Sequence, residues 1–301
     1  MLRHVLVPLD GSVLAEAALP AAAATATAFD ARVTLFHVLE EWAPETVHGQ
    51  RHLTDAAQAR AYLESVAKRP VFGDRVVEIH LHETRTGNVA DSIMAHADEL
   101  GADLVVLCTH GQGGLKGLIF GRIALRALGR GRTPILLVNP PATGEPPPFV
   151  CRSILVPLDG AAGHEPALPT ASVLARAWAA TIHLVIVVPT VGTLSGAEAA
   201  TGILMPSATR VALDLAERGA EEYVERVAQT LRAEGLSAST HVGRGEPAVC
   251  LVETAEAVGA DLVVAATHAK GAMDAFWSGS LTPKLMETLR RPLLLVRAAP
   301  E

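Results

Sequence analysis

The stretch THGQGGLKGLIFGR, residues 109–122, carries the densest candidate chemistry of the chain. It places Gly111, Gly113, Gly114 and Gly117 in one loop, with Gly121 where a helix is expected to begin. Glycine lets backbone N–H groups come close to an anion, and a helix N-terminus favours negative charge. Phosphate binding is the chemistry such a loop can do. Shaping a tight turn is the plainer alternative, and the glycines alone leave the two level. The second feature is Asp-Gly after a short apolar run, at Asp10–Gly11 and again at Asp159–Gly160. A carboxylate there can accept a hydrogen bond from a ligand hydroxyl or amino group. A turn or helix cap is the alternative, since Asp-Gly starts many turns.

Other reactive side chains point to less. His110 and His268 recur in the glycine loop without a base–nucleophile partner. His80 and His82 fall on one face of an expected strand, and His48 and His52 on one helix face. A pair of histidines does not complete a zinc site without a third ligand, so no metal is expected at either place. Cys108 ends a buried strand and reads as inert packing. No convincing catalytic base emerges among these side chains. No glycine-rich loop ends in Gly-Lys-Ser/Thr, which argues against a P-loop NTPase.

The elements that position these residues occur twice. RHVLVPLDGS at Arg3–Ser12 returns as RSILVPLDGA at Arg152–Ala161; GADLVVLCTH at Gly101–His110 returns as GADLVVAATH at Gly259–His268; RTPILLV at Arg132–Val138 returns as RRPLLLV at Arg290–Val296. A repeat this long is a whole domain. The expected division is residues 1–140, a stiff proline-rich linker at 141–150, and residues 151–301. The offset between copies is 149 at Asp10 and Asp159 and 158 at Gly87 and Gly245, so nine net residues enter the second copy. Pro189–Ser207 is the expected place, read as a long loop.

Each copy alternates short Val/Leu/Ile runs with helical patterns. Strands are expected near His4–Pro8, Arg32–Val38, Arg75–His82, Asp103–Thr109 and Ile135–Val138, then Ser153–Pro157, Thr181–Val187, Ser237–Val242, Asp261–Thr267 and Leu293–Val296. Helices are expected near Val13–Phe29, Leu53–Lys68, Val89–Leu100 and Arg122–Gly129, then Glu165–Ala179, Ala208–Glu234, Pro247–Val258 and Leu281–Arg290. Continuous apolar strands suit a parallel sheet covered on both faces, so each copy is read as a five-stranded doubly wound parallel α/β sheet. Ligands on such sheets lie beyond the carboxyl ends of the strands, where the order reverses. The turn after the first strand and the glycine loop after the fourth would share that crevice.

Composition excludes some classes. A net charge of −7 argues against a general nucleic-acid or anionic-membrane binder. Three cysteines make no disulfide framework and fit a reducing compartment. With neither a signal segment nor a spanning helix evident, a cytoplasmic location is expected.

With these motifs assembled, the chain resembles a tandem universal stress protein, nearly end to end in both copies. The carrying residues are the VPLDGS opening, GADLVVL followed by Thr109, His110 and Gly111, then Gly121 and the closing RTPILLV. The resemblance implies tandem flavodoxin-like domains of the adenine nucleotide alpha hydrolase kind. It also implies, for many members, ATP with or without Mg as a regulatory ligand. The family motif is a glycine, two residues, a second glycine, nine residues, then Gly-Ser or Gly-Thr. The last two elements hold phosphates; the opening aspartate and the end of the second strand hold ribose and adenine.

Carried over to the first copy, the implied contacts are Pro8, Leu9, Asp10 and Val38, then His110, Gly111, Gln112, Gly113, Gly121, Arg122 and Ile123. In the second copy they are Asp159, Val187, Gly279, Ser280 and Leu281. Cys108 and Ala266 stand at the leading glycine. Arg122 replaces the Ser/Thr, and Ala269 replaces the second glycine, where a Cβ obstructs a phosphate. The first copy is therefore the expected ATP site and the second a degraded one. The alternative is a family member without nucleotide binding, acting as a structural or interaction module. The resemblance also implies intramolecular pairing of the copies through their last strands, with a homodimer as a further association.

Overall fold

The computed structural model describes residues 2–41, 46–47, 50–51, 53–86, 88–109, 133–141, 144–160, 166–194, 196–267 and 281–297. The chain divides into two compact units, one of 1–150 with 292–297, the other of 151–291 with 298–301.

The first unit opens on β1 (His4–Pro8), α1 (Leu19–Phe29) and β2 (Arg32–Glu40). A two-stranded hairpin of β3 (Thr46–Val47) and β4 (Gln50–Arg51) follows. Then come α2 (Ala56–Ala67), β5 (Val77–Thr86), α3 (Val89–Glu99), β6 (Leu104–Cys108) and β7 (Ile135–Val138). The strands are parallel in the order β7-β6-β1-β2-β5. All five residues of β1 and of β6 are buried, as strands covered on both faces must be. The reversal falls between β1 and β6, the two strands whose following turns the sequence placed in one crevice. Also within this unit, β12 (Leu293–Arg297) runs antiparallel to β7, with Leu294 opposite Leu136.

The second unit repeats the plan with β8 (Ser153–Leu158), α4 (Ala167–Trp178), β9 (Thr181–Val188), α5 (Gly196–Leu204), α6 (Pro206–Ala233), β10 (Ala238–Arg244), α7 (Pro247–Ala257), β11 (Leu262–Thr267) and α8 (Leu281–Thr288). Its parallel strands run β10-β9-β8-β11.

Three expectations change. Val13–Phe29 is not one helix: a 3-10 turn at Ala15–Ala18 precedes α1. Pro20 stands in the first turn of α1, where its missing N–H is harmless, so it starts the helix. Pro189–Ser207 is not a loop: Thr190 and Thr193 form a capping box around a 3-10 turn, and Gly196–Leu204 is helical. The alanines of that segment favour helix more than its glycines oppose it. The segment that was to bear His48 and His52 on one helix face instead carries the hairpin of β3 and β4; both histidines lie outside the described residues, as does the expected helix Arg122–Gly129.

The repeated GAD motif has a structural explanation. Asp103 Oδ2 accepts from the backbone N–H groups of Arg3 and His4 at 2.7 and 3.1 Å. Asp261 does the same for Arg152 and Ser153 at 2.8 and 3.1 Å. The preceding Gly101 and Gly259 have φ of +63° and +62° and end α3 and α7 in the left-handed region. Each aspartate thus fastens the start of its unit's first strand. Removing two charge-assisted hydrogen bonds leaves two strand-end donors without that partner. Asp103→Ala and Asp261→Ala are each expected to lower the stability of their own unit by about 1–3 kcal/mol. Urea unfolding with hydrogen exchange resolved by unit checks this; a variant with an unchanged midpoint would refute it.

Candidate functional site

The first unit's candidate site stands where β1 and β2 end side by side. Pro8 pairs in register with Phe36, and beyond it the Leu9 N–H donates to the Phe36 carbonyl at 2.8 Å. The chain then leaves the sheet through Asp10–Gly11. Asp10 Oδ1 accepts from the Ser12 N–H at 2.8 Å, and Ser12 Oγ accepts from Ala15 N–H at 3.2 Å. The cap reading of Asp10 therefore holds for one carboxylate oxygen. The other, Oδ2, is buried and has no hydrogen-bond partner among the described residues. A buried acceptor without a donor is costly, and a ligand hydroxyl or amino group would remove that cost.

The surroundings are acidic and largely closed. Burial lifts the Glu40 carboxyl above the ordinary carboxylate range; Asp10 adds to the lift and the His37 ring opposes it. Glu16 is buried and held by Arg69 at 2.7 Å and by the Tyr62 hydroxyl at 3.1 Å. Burial, with Asp10 beside it, pushes the Cys108 thiol up to about 12, so it is not a ready nucleophile. Gly11 has φ +90°, and a Cβ there would stand 2.7 Å from Leu53 Cδ1. Only glycine fits that turn.

Of the residues singled out from sequence, Pro8, Leu9, Asp10 and Val38 gather at the ends of β1 and β2. Asp159 and Val187 hold the matching places at the ends of β8 and β9, and Leu281 is buried at the start of α8. His110, Gly111, Gln112, Gly113, Gly121, Arg122 and Ile123, with Gly279 and Ser280, lie outside the described residues. Reading from sequence overlooked His37, Leu53 and Glu40. The available signal was a histidine and a glutamate in the otherwise apolar run of β2, where the second copy has Ile186 and Pro189.

The strand histidines acquire neighbours that spacing did not reveal. His96 on α3 lies 5.0 Å from His80 and 4.7 Å from His82, ring centre to ring centre, and stacks on Phe36 at 4.9 Å. His96 Nδ1 is bonded to the Ser92 carbonyl, and Glu99 is 3.9 Å from its Nε2. Among the described residues no group of three or more His, Cys, Asp or Glu side chains is disposed to hold a metal ion. In the second unit His183 Nδ1 is 3.3 Å from His241 Nε2, with Ser239 Oγ 2.7 Å from the same Nδ1. Desolvation first, then a neighbouring imidazole, holds His80, His82 and His183 below the ordinary value; desolvation does so for His241. No helix among the described residues is long and apolar enough to cross a membrane.

Fold and turn together define a tandem duplication of a doubly wound α/β domain with a polar turn at the strand-order reversal. The universal stress protein family model matches residues 1–139 and again 151–297. The chain belongs to the universal stress protein family. A universal stress protein of Methanocaldococcus jannaschii is 28% identical over 142 residues, 46% of this chain and 83% of that protein. Among solved structures, a functionally unknown protein from Pseudomonas aeruginosa aligns over 99% of this chain and 93% of its own, with TM-score 0.69 and 17% identity. A universal stress protein from Archaeoglobus fulgidus aligns over 98% and 96%, with TM-score 0.68 and 13% identity. These two likenesses concern the fold.

The histidine contacts set a pH dependence with a definite sign. Rings held below 6.5 in the fold bind protons more readily in the unfolded chain. Stability is full above that value and falls as pH drops through it. The urea midpoint is expected to fall between about pH 7.5 and 5.5, and His96→Gln, which removes a ring shared by His80 and His82, should lessen the fall. A midpoint that rises on acidification would contradict this.

Proposed function

We propose that the first copy binds ATP, with or without Mg, as a regulatory ligand of a stress response. The observation that carries this reading is Asp10 Oδ2, a buried carboxylate oxygen without a partner among the described residues, at the end of the central strand. Its chemistry fits a ribose hydroxyl or an adenine amino group, both donors. Pro8, Leu9 and Val38 supply the apolar wall beside it. The glycine loop from Gly111, with Gly121 and Arg122, is the segment that would hold the phosphates; a guanidinium at Arg122 can pair with a phosphate where the family has a hydroxyl. The reading is one of binding, with a weak ATPase the most that turnover would amount to.

In the same reading the second copy serves as scaffold. Ala269 takes the place of a phosphate-loop glycine, and Asp159–Gly160 is backed by Ile186 rather than a polar ring. The segment 141–150 acts as the linker between the copies. The last strands, Ile135–Val138 and Leu293–Arg297, pair the copies within one chain, a role supported by the antiparallel register of Leu293 with Leu137. The reading places the protein in the cytoplasm.

Calorimetry with ATP on the purified chain tests the proposal, together with mass spectrometry of any nucleotide released on denaturation. Wild-type protein should bind at one site. Asp10→Ala should weaken binding by about tenfold or more, and Asp159→Ala should leave it unchanged. A folded protein that neither binds ATP nor releases a nucleotide would overturn the reading and leave an interaction module of the same family.

A further inference from the structure

His37 lies on β2 between Phe36 and Val38 and is buried. While Phe36 packs against the His80–His96 rings, His37 turns to the opposite face. Its Nδ1 is 2.7 Å from the Leu9 carbonyl oxygen and its Nε2 is 3.2 Å from the Leu53 carbonyl oxygen. Carbonyl oxygens only accept, so each contact needs a proton on the ring nitrogen. A neutral imidazole carries one such proton and the imidazolium carries two. Only the protonated ring makes both bonds.

Both partners matter to the same turn. Leu9 immediately precedes Asp10. Leu53 immediately covers Gly11, whose missing Cβ makes room for the leucine side chain. One ring therefore ties the strand end that carries Asp10 to the segment that roofs the turn. The second copy lacks this device. At the same offset stands Ile186, which has no donor; its Cδ1 lies 3.6 Å from where a Cβ of Gly160 would be. The two copies share the Asp-Gly turn and differ in what fastens it.

We propose that His37 is the positioning residue of the first-copy site. By holding Leu9 and Leu53 together it fixes where the Asp10 carboxylate stands, and its replacement by Ile186 leaves the second copy without a preset site. This rests on the reading of Asp10 as a ligand group. Among the described residues, the carboxylates of this turn are those of Asp10 from β1 and Glu40 from β2, and Glu40 interacts with both Asp10 and the His37 ring. Glu16 is taken up by Arg69 and Tyr62, and Asp55 is taken up in capping α2 through the Gln58 N–H. A carboxylate that interacts with an imidazole favours its charged form, the form that makes both bonds.

The test uses the full-length chain with His37→Ile, which copies the second unit, and His37→Asn, whose amide can donate to the Leu9 carbonyl. Amide exchange is measured without ligand on peptides covering residues 2–12 and 53–60, alongside ATP calorimetry. His37→Ile should speed exchange in both peptides and weaken ATP about tenfold or more, and His37→Asn should recover most of the Leu9 half. Wild-type affinity should weaken as pH rises through the imidazole range, about 5 to 8, and His37→Asn should lose that dependence. Because His37 is buried, the wild-type pH series stands even where a variant unfolds; exchange at 53–60, corrected for intrinsic rates, should quicken with rising pH. Unchanged exchange in folded His37→Ile, or ATP binding by it at wild-type strength, overturns the proposal. Faster exchange in a chain whose wild type binds no ATP supports the positioning role and defeats the nucleotide reading instead.

Discussion

The structure depends on a first strand that is paired on both sides and buried on both faces. In the first unit β1 bonds to β2 on one side and β6 on the other. In the second, β8 does so with β9 and β11. A strand so enclosed exchanges nearly every backbone group with its neighbours, and the side chains between its ends are apolar and buried. Polar chemistry is then confined to its two ends. The amino end is fastened by Asp103 or Asp261, and the carboxyl end delivers Asp10 or Asp159. Because the order reverses beside this strand, no crossover helix fills the space beyond its carboxyl end.

The repeated motifs divide by this geometry. GAD recurs because two N–H groups at the start of a strand need an acceptor, and glycine must take the left-handed turn before it. That is a structural reason, and recurrence alone would have suggested a shared site. The Asp-Gly turn recurs with φ near +90° at Gly11 and +82° at Gly160, again a backbone requirement. At Asp10 the structural reason covers only one oxygen. Among the described residues nothing donates to the second oxygen.

Strand identity was legible because runs such as LVVLC admit no other arrangement in a chain of this composition; β1 and β7 fall where periodicity placed them. Boundaries set by local chemistry were harder to read. Pro20 was taken as a residue inside a helix, and it is the start of one. Thr190, three residues before Thr193, forms a capping box, a signal masked by the surrounding glycines. The site was half legible. Asp10 stood out by its turn. His37 did not, because a histidine in a strand announces nothing until the carbonyls facing it are known, and one of those belongs to Leu53, sixteen residues further on. His96 joined His80 and His82 only when α3 was laid on β5, since helix-to-strand contacts leave no spacing in sequence.

The difference between the copies follows the same division. What fastens the amino end of the central strand is chemically identical in both. What surrounds its carboxyl end is not: His37 against Ile186, Glu40 against Pro189, and, after β9, the helix Gly196–Leu204 where the first copy has the hairpin of β3 and β4. A duplicated domain must keep the interactions that hold each central strand, because losing them costs folding in either copy. It need not keep two preset ligand turns if one suffices. The asymmetry fits the proposal of one ligand site and one supporting domain.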